Sequence, residues 1–137
     1  MSKVITDPYH IFEGFIWAET QPQIHTIVID SLSFLMDMFV SVHIMNSADS
    51  RSQWQAYQEF FKELMQQKVA SSTKNVIIIT HIAEDLDEEK GIRTEQAVVK
   101  GGLKGTGVEA YFSLNVTARA MPIKELEKHP SEFLNIT

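Results

Sequence analysis

Asp30 is the first residue of the chain whose type and setting point to chemistry. It closes the apolar run His25-Thr26-Ile27-Val28-Ile29 and is followed by Ser31. A carboxylate in that place is costly to desolvate unless a cation or hydrogen-bond donors meet it. A hydrated magnesium ion would satisfy it; so would the N–H groups of a following helix, with Asp30 as the capping residue. His81 stands in the same relation to a second run, Asn75-Val76-Ile77-Ile78-Ile79-Thr80. A neutral imidazole there can sense a phosphate or position a water, or it can simply be hydrogen-bonded at the edge of a core. Lys100-Gly101-Gly102-Leu103-Lys104-Gly105-Thr106-Gly107 holds most of the six glycines of the chain. Backbone N–H groups of such a run can wrap a phosphate, but it does not match G-x-x-x-x-G-K-[ST], leads toward a strand, and reads equally as a flexible turn.

Other chemistries find fewer residues. There is no cysteine, which excludes a disulfide scaffold, a thiolate nucleophile and a cysteine-based metal centre. His10, His25, His43 and His129 lack the i, i+4 spacing of a zinc-binding helix, and no G-x-S-x-G elbow occurs. A metal-dependent hydrolase built on Asp30 and His81 would lack further ligands. Trp54, Tyr57, Phe60 and Phe61 could stack on bases, but at helical spacing beside Leu64 and Met65 they read as core.

The elements that must position these residues follow from pattern. With 137 residues, 44% hydrophobic and 22% charged, the chain suits one globular domain. A net charge of −6 offers no global attraction for nucleic acid or an anionic membrane. Thr6-Asp7-Pro8 signals a helix start, and Ile11, Phe12, Phe15 and Ile16 form its apolar stripe. The runs ending at Asp30 and Thr80 are β-branched without polar alternation, as in strands buried on both faces in mid-sheet. Leu32 to Ile44 lacks a clean period and is either a loop leading into a helix or a helix buried nearly all round; Trp54 to Met65 is a clear helix with a cap at Asp49 or Ser50. Ala83 to Lys100 is dominated by charge and reads as a mobile surface loop, Ala110 to Val116 as a third strand, and Met121 to Thr137 as a tail with a short helix at Ile123 to Lys128. The longest apolar stretch, Ile27 to Met45, contains Asp30, Asp37 and His43, so it is no membrane span. Met1 to His10 lacks the grading of a secretory signal and reads as unprocessed, which fits a cytoplasmic protein. The triplets starting at Asn115 and Asn135 are then chance matches to a glycosylation site. Strands alternating with helices predict an α/β fold with a mostly parallel sheet flanked by helices. In such sheets chemistry gathers beyond the carboxyl ends of the strands, where Asp30 and Thr80-His81 fall.

In their order these features resemble the later part of a RecA-like P-loop ATPase core. His25 to Ser31 resembles that family's Walker B strand, with its hydrophobic run ending in aspartate and serine. Asn75 to His81 is similar to the next core strand with its polar sensor, and the charged stretch from Ala83 to Lys100 takes the place of the mobile DNA-binding loop. Gly101-Gly102 followed by Ala110 to Leu114 resembles the glycine pair and strand that come next. The histidine after the sensor strand and the Lys100 to Gly105 run look most like bacteriophage recombination and replication ATPases. The resemblance covers about Asp7 to Ala118 and implies ATP and Mg²⁺ as cofactors, with Asp30 holding the Mg²⁺ shell through water and Ser31 and Thr80 at the nucleotide. It further implies that His81 couples the γ-phosphate to the loop, and that Lys100 or Lys104 contacts DNA or a neighbouring subunit. The partners it implies are further copies, a chain bearing the other half of the core, and single-stranded DNA.

The family's phosphate-binding (Walker A) loop and catalytic glutamate strand should precede residue 1, so the chain reads as an incomplete core that does not hydrolyse ATP by itself. The alternative is a non-enzymatic module that self-associates or binds a partner through the open edge of a truncated sheet.

Overall fold

A computed structural model describes residues 1–87, 91–100, 103, 107–118, 120 and 122–126. Along the chain run α1 (His10–Glu19), β1 (Thr26–Asp30), α2 (Leu32–Phe39) continued by a π-helical turn (Val40–Ile44), and α3 (Ser50–Glu63) continued by a second one (Leu64–Val69). Then come β2 (Asn75–Ile79), β3 (Ile82–Asp87), β4 (Ile92–Ala97), a 3₁₀ turn (Val108–Tyr111) and α4 (Ile123–Leu126). The fold is mixed α/β. β1 and β2 pair in parallel, with Ile27 opposite Val76 and Asp30 opposite Ile79, and β3 and β4 form a separate antiparallel pair. Among the described residues no helix is long and apolar enough to cross a membrane.

The core lies between the parallel pair and the helices. α2 presents Leu32, Leu35, Met36 and Phe39 at helical spacing, all at most 4% exposed, while Phe34 points outward at 63%. That outward phenylalanine hides the period from a sequence reading. α3 starts at Asp49, whose carboxylate accepts from the Ser52 N–H at 3.1 Å, a helix N-cap. Its face of Tyr57, Phe60 and Phe61, continued by Leu64 and Met65, is buried as core. Phe60 is the hub of the aromatic contacts, its ring centre 5.2 Å from Tyr9, 5.1 Å from Phe12 and 5.3 Å from Phe39. α1 joins the same cluster through Ile11 and Phe15; it begins after the Thr6-Asp7-Pro8 signal, with the Asp7 carboxylate accepting from the Tyr9 N–H at 2.9 Å. Ile16, expected on its buried stripe, is 59% exposed.

Three expectations are corrected here. The strands are not buried on both faces: Ile29 is buried and Ile27, Val76 and Ile78 pack on the helical core, but Val28, Ile77 and Ile79 are 55%, 52% and 46% exposed. α1, α2 and α3 all feed one hydrophobic cluster on one side of the sheet, which leaves the other side bare. The charged stretch from Ala83 to Lys100, expected to be a loop, contains most of the β3–β4 hairpin. Strand pairing there rests on backbone hydrogen bonds, which an apolar count does not register, and Gly91 supplies a positive φ of 62° at the turn. The third strand expected over Ala110 to Val116 is absent. The chain makes the 3₁₀ turn and then runs on exposed, with Leu114 at 77% and Val116 at 81%.

A polar latch joins α1 to the entry of β2. The Glu19 carboxylate accepts from the hydroxyls of Ser72 and Thr73 and from the Thr73 N–H at 3.2 Å, and Lys74 Nζ donates to the Gln21 carbonyl at 3.1 Å. These hydrogen bonds, from Ser72 first, hold the Glu19 carboxyl below the usual carboxylate range.

Replacing Phe60 by Ala should cost about 3–5 kcal/mol, a large share of the roughly 5–15 kcal/mol of a typical domain, and a urea titration followed by circular dichroism would measure it. The Glu19 carboxyl titrates lower folded than unfolded, so its stabilisation is complete above the unfolded value of about 4.3 and is lost as pH falls through the folded value. Glu19→Gln should therefore lower the urea midpoint at neutral pH and converge with the parent chain in acid.

Candidate functional site

The parallel pairing brings the two polar strand ends together. Asp30 is the last residue of β1, exposed, and opposite Ile79 in register; Thr80 and His81 follow directly on β2. A cis peptide bond joins Asp30 to Ser31. Ser31 is 4% exposed and caps α2, its hydroxyl accepting from the Phe34 N–H at 3.4 Å. The capping role that the sequence allowed for Asp30 thus falls to its neighbour, and the Asp30 carboxylate stays toward solvent.

The residue that ties the group together is Ser33, which the sequence did not single out. It lies in the first turn of α2, 7% exposed, with its hydroxyl 3.0 Å from Thr80 Oγ1 and accepting from the His81 N–H at 3.1 Å. One side chain therefore fixes the start of the helix after β1 to the end of β2. A small polar residue one turn into a helix that follows a strand is the available signal, but it gains meaning only once the two strands are known to be neighbours. The exposed Phe34 ring lies edge-on to the His81 imidazole at 5.1 Å. The His81 carbonyl accepts from the Val98 N–H at 2.8 Å, which extends the hairpin ladder to the strand end.

Lys100 is held elsewhere on α2. Its ammonium lies 2.6 Å from Asp37 Oδ1, with both side chains about half exposed, and its backbone N–H donates to the buried Tyr57 hydroxyl at 3.1 Å. Burial pushes the Tyr57 hydroxyl up from its ordinary pKa, so it stays protonated at neutral pH. Lys104 lies outside the described residues. A cavity of about 280 Å³ is lined by Glu95, Ala97, Val99, Leu103 and Val108 among others, and none of Asp30, Ser31, Thr80 or His81 borders it. Within the strand-end group Asp30 and His81 are exposed and Ser31 is buried.

Its donor set is sparse. Among the described residues no three metal-ligating side chains of the His, Cys, Asp or Glu type come together. Asp30 offers one solvent-facing carboxylate. That suits a magnesium ion that keeps several waters and takes its other ligands from a phosphate, and it does not suit an ion caged by protein alone. Comparison with family models, with curated proteins and with solved structures returns no match.

Ser33→Ala should remove the hydroxyl that meets Thr80 Oγ1 and accepts from the His81 N–H, leaving Thr80 Oγ1 its bond to the His81 carbonyl, at a cost of about 1 kcal/mol. Amide hydrogen exchange should show faster exchange at His81 with the α3 amides unchanged; an unaltered His81 rate would mean that the serine does not hold the strand end.

Proposed function

We propose that the chain is part of a RecA-like ATPase of the bacteriophage recombination and replication type, carrying the magnesium and sensor residues of a nucleotide site that a second half completes. The observation that carries this reading is the joining of Asp30, Thr80 and His81 at one end of a parallel pair, with Ser33 bridging the elements. In this reading Asp30 holds a hydrated Mg²⁺ through water, and Ser31 and Thr80 lie at the nucleotide. A bound magnesium nucleotide supplies the phosphoanhydride to be cleaved and the cation that offsets its charge. The chain's own part is to orient water at the Asp30 carboxylate and to hold His81 at the end of the neighbouring strand.

His81 is also the residue through which β2 passes into the hairpin, and its carbonyl accepts from the N–H of Val98, the residue after β4. A shift of His81 on meeting a phosphate would therefore move both hairpin strands, which supports a coupling role for it. Lys100, paired with Asp37 at the surface, would have to exchange that carboxylate for a phosphate to reach DNA or a neighbouring subunit. The 137 residues contain no G-x-x-x-x-G-K-[ST], so the isolated chain is expected to bind ATP·Mg²⁺ no tighter than millimolar and not to hydrolyse it. A second reading, a non-enzymatic module that associates through its sheet, draws its support from the bare outer face of β1 and β2.

Titrating Mn²⁺ into the isotope-labelled chain tests the first reading. Paramagnetic broadening should centre on Asp30 to Ser33 and Ile79 to His81, and Asp30→Asn should abolish it there. Broadening confined to the acidic hairpin, or unchanged at the strand ends in the variant, would remove the metal role from Asp30.

A further inference from the structure

Ser33 accounts for the backbone of His81 but not for its ring. The N–H of that histidine donates to Ser33 Oγ at 3.1 Å, and its carbonyl accepts from the Val98 N–H at 2.8 Å and from the Thr80 hydroxyl at 3.2 Å. The main chain at the strand end is thus held on both sides. The residue is nevertheless exposed, and an exposed histidine side chain has several staggered rotamers open to it. Which of them it takes decides where its two ring nitrogens can act.

The contact that bears on this choice is with Phe34. The phenyl ring lies edge-on to the imidazole, with ring centres 5.1 Å apart and an interplanar angle of 79°, the T-shaped arrangement that aromatic pairs favour. Phe34 has no share in the core face of α2: Leu32, Leu35, Met36 and Phe39 supply that face, and Phe34 is 63% exposed. A side chain left mostly in water adds little to folding through burial, so its effect on the chain runs through what it touches. Its own backbone is placed as well. The Phe34 N–H donates to the Ser31 hydroxyl at 3.4 Å in the cap of α2, and Ser31 is bonded directly to Asp30. Ser33 and Phe34 are consecutive residues of one helical turn, and they meet the main chain and the ring of the same histidine, more than forty residues further along.

We infer that Phe34 is a positioning residue for His81: its ring selects the rotamer of the imidazole, and through the Ser31 cap it ties that orientation to the strand end that carries Asp30. This inference rests on the first reading above, in which His81 meets a phosphate, and adds to it the side chain that aims the ring. Aim matters there because an imidazole nitrogen acts only on a group within hydrogen-bond reach and in line with its N–H or lone pair. An edge-on aromatic pair biases a rotamer roughly two- to tenfold, enough to make one orientation dominant without burying the ring. The imidazole is thereby oriented and still open to a ligand.

Nuclear magnetic resonance on the metal-free, histidine-labelled chain tests this, with five histidines to assign. The three-bond couplings about χ1 of His81 should report one dominant staggered rotamer. Phe34→Leu keeps an apolar side chain and removes the ring. It should move those couplings to rotamer-averaged values and abolish the ring-current shift of the His81 ring protons, while the His81 amide exchange rate and the urea midpoint stay nearly unchanged. Phe34→Tyr should restore the single rotamer. Couplings that stay those of one rotamer in Phe34→Leu, or that are already averaged in the parent chain, would overturn the positioning role. Faster His81 amide exchange in Phe34→Leu would overturn it as well, because Phe34 would then be supporting the fold at the strand end. With Mn²⁺ added, the broadening of the His81 ring relative to its amide should change in Phe34→Leu and return in Phe34→Tyr. An absence of broadening at the strand ends in every chain would instead overturn the first reading, and with it the use made of this orientation; the couplings, read without metal, keep the two failures apart.

Discussion

The seam between α2 and α3, where Phe39, Tyr57, Phe60 and Phe61 are essentially inaccessible, is the interaction on which the rest of the structure depends. The two helices form the connection between β1 and β2, and parallel strands require such a crossover to lie side by side. Burying a large aromatic side chain contributes about 1.5–3 kcal/mol as an area-based upper estimate, and the seam concentrates several of them. Without it nothing would hold Val28 beside Ile77 or Asp30 beside Ile79, since a two-stranded pair is not stable alone.

The same seam sets the limits of the sheet. α1 docks on it through Phe12 and Phe15, so three helices gather on one face, and among the described residues the opposite face of β1 and β2 receives none. The exposed isoleucines are the direct result of that asymmetry.

At the carboxyl end of the strands the requirement is different. There the chain must hold polar groups near one another without burying them unpaired. Ser31 takes the helix cap and Ser33 takes the Thr80 hydroxyl and the His81 N–H, which leaves Asp30 and the His81 ring available to solvent. The hairpin begins at the same point, so the strand end is also the root of the most acidic part of the chain.

How much of this was legible beforehand depends on the range of the interaction. Sequence by itself determined the α/β class, the helix over Trp54 to Met65 with its cap, the two β-branched strands and the polar residues at their ends, because these follow from local periodicity and capping chemistry. It also supplied the likeness to a RecA-like core, which the structure leaves as a proposal. The tertiary structure alone decided which strand face is covered, since that depends on where three helices dock and not on the composition of Thr26 to Asp30. It decided that Ser31 and not Asp30 caps α2, and that Ser33 ties α2 to the end of β2, a contact spanning more than forty residues. It also turned the charged stretch into a hairpin and left Ala110 to Val116 without a strand partner, because backbone pairing depends on a neighbouring edge being within reach, and no local pattern encodes that.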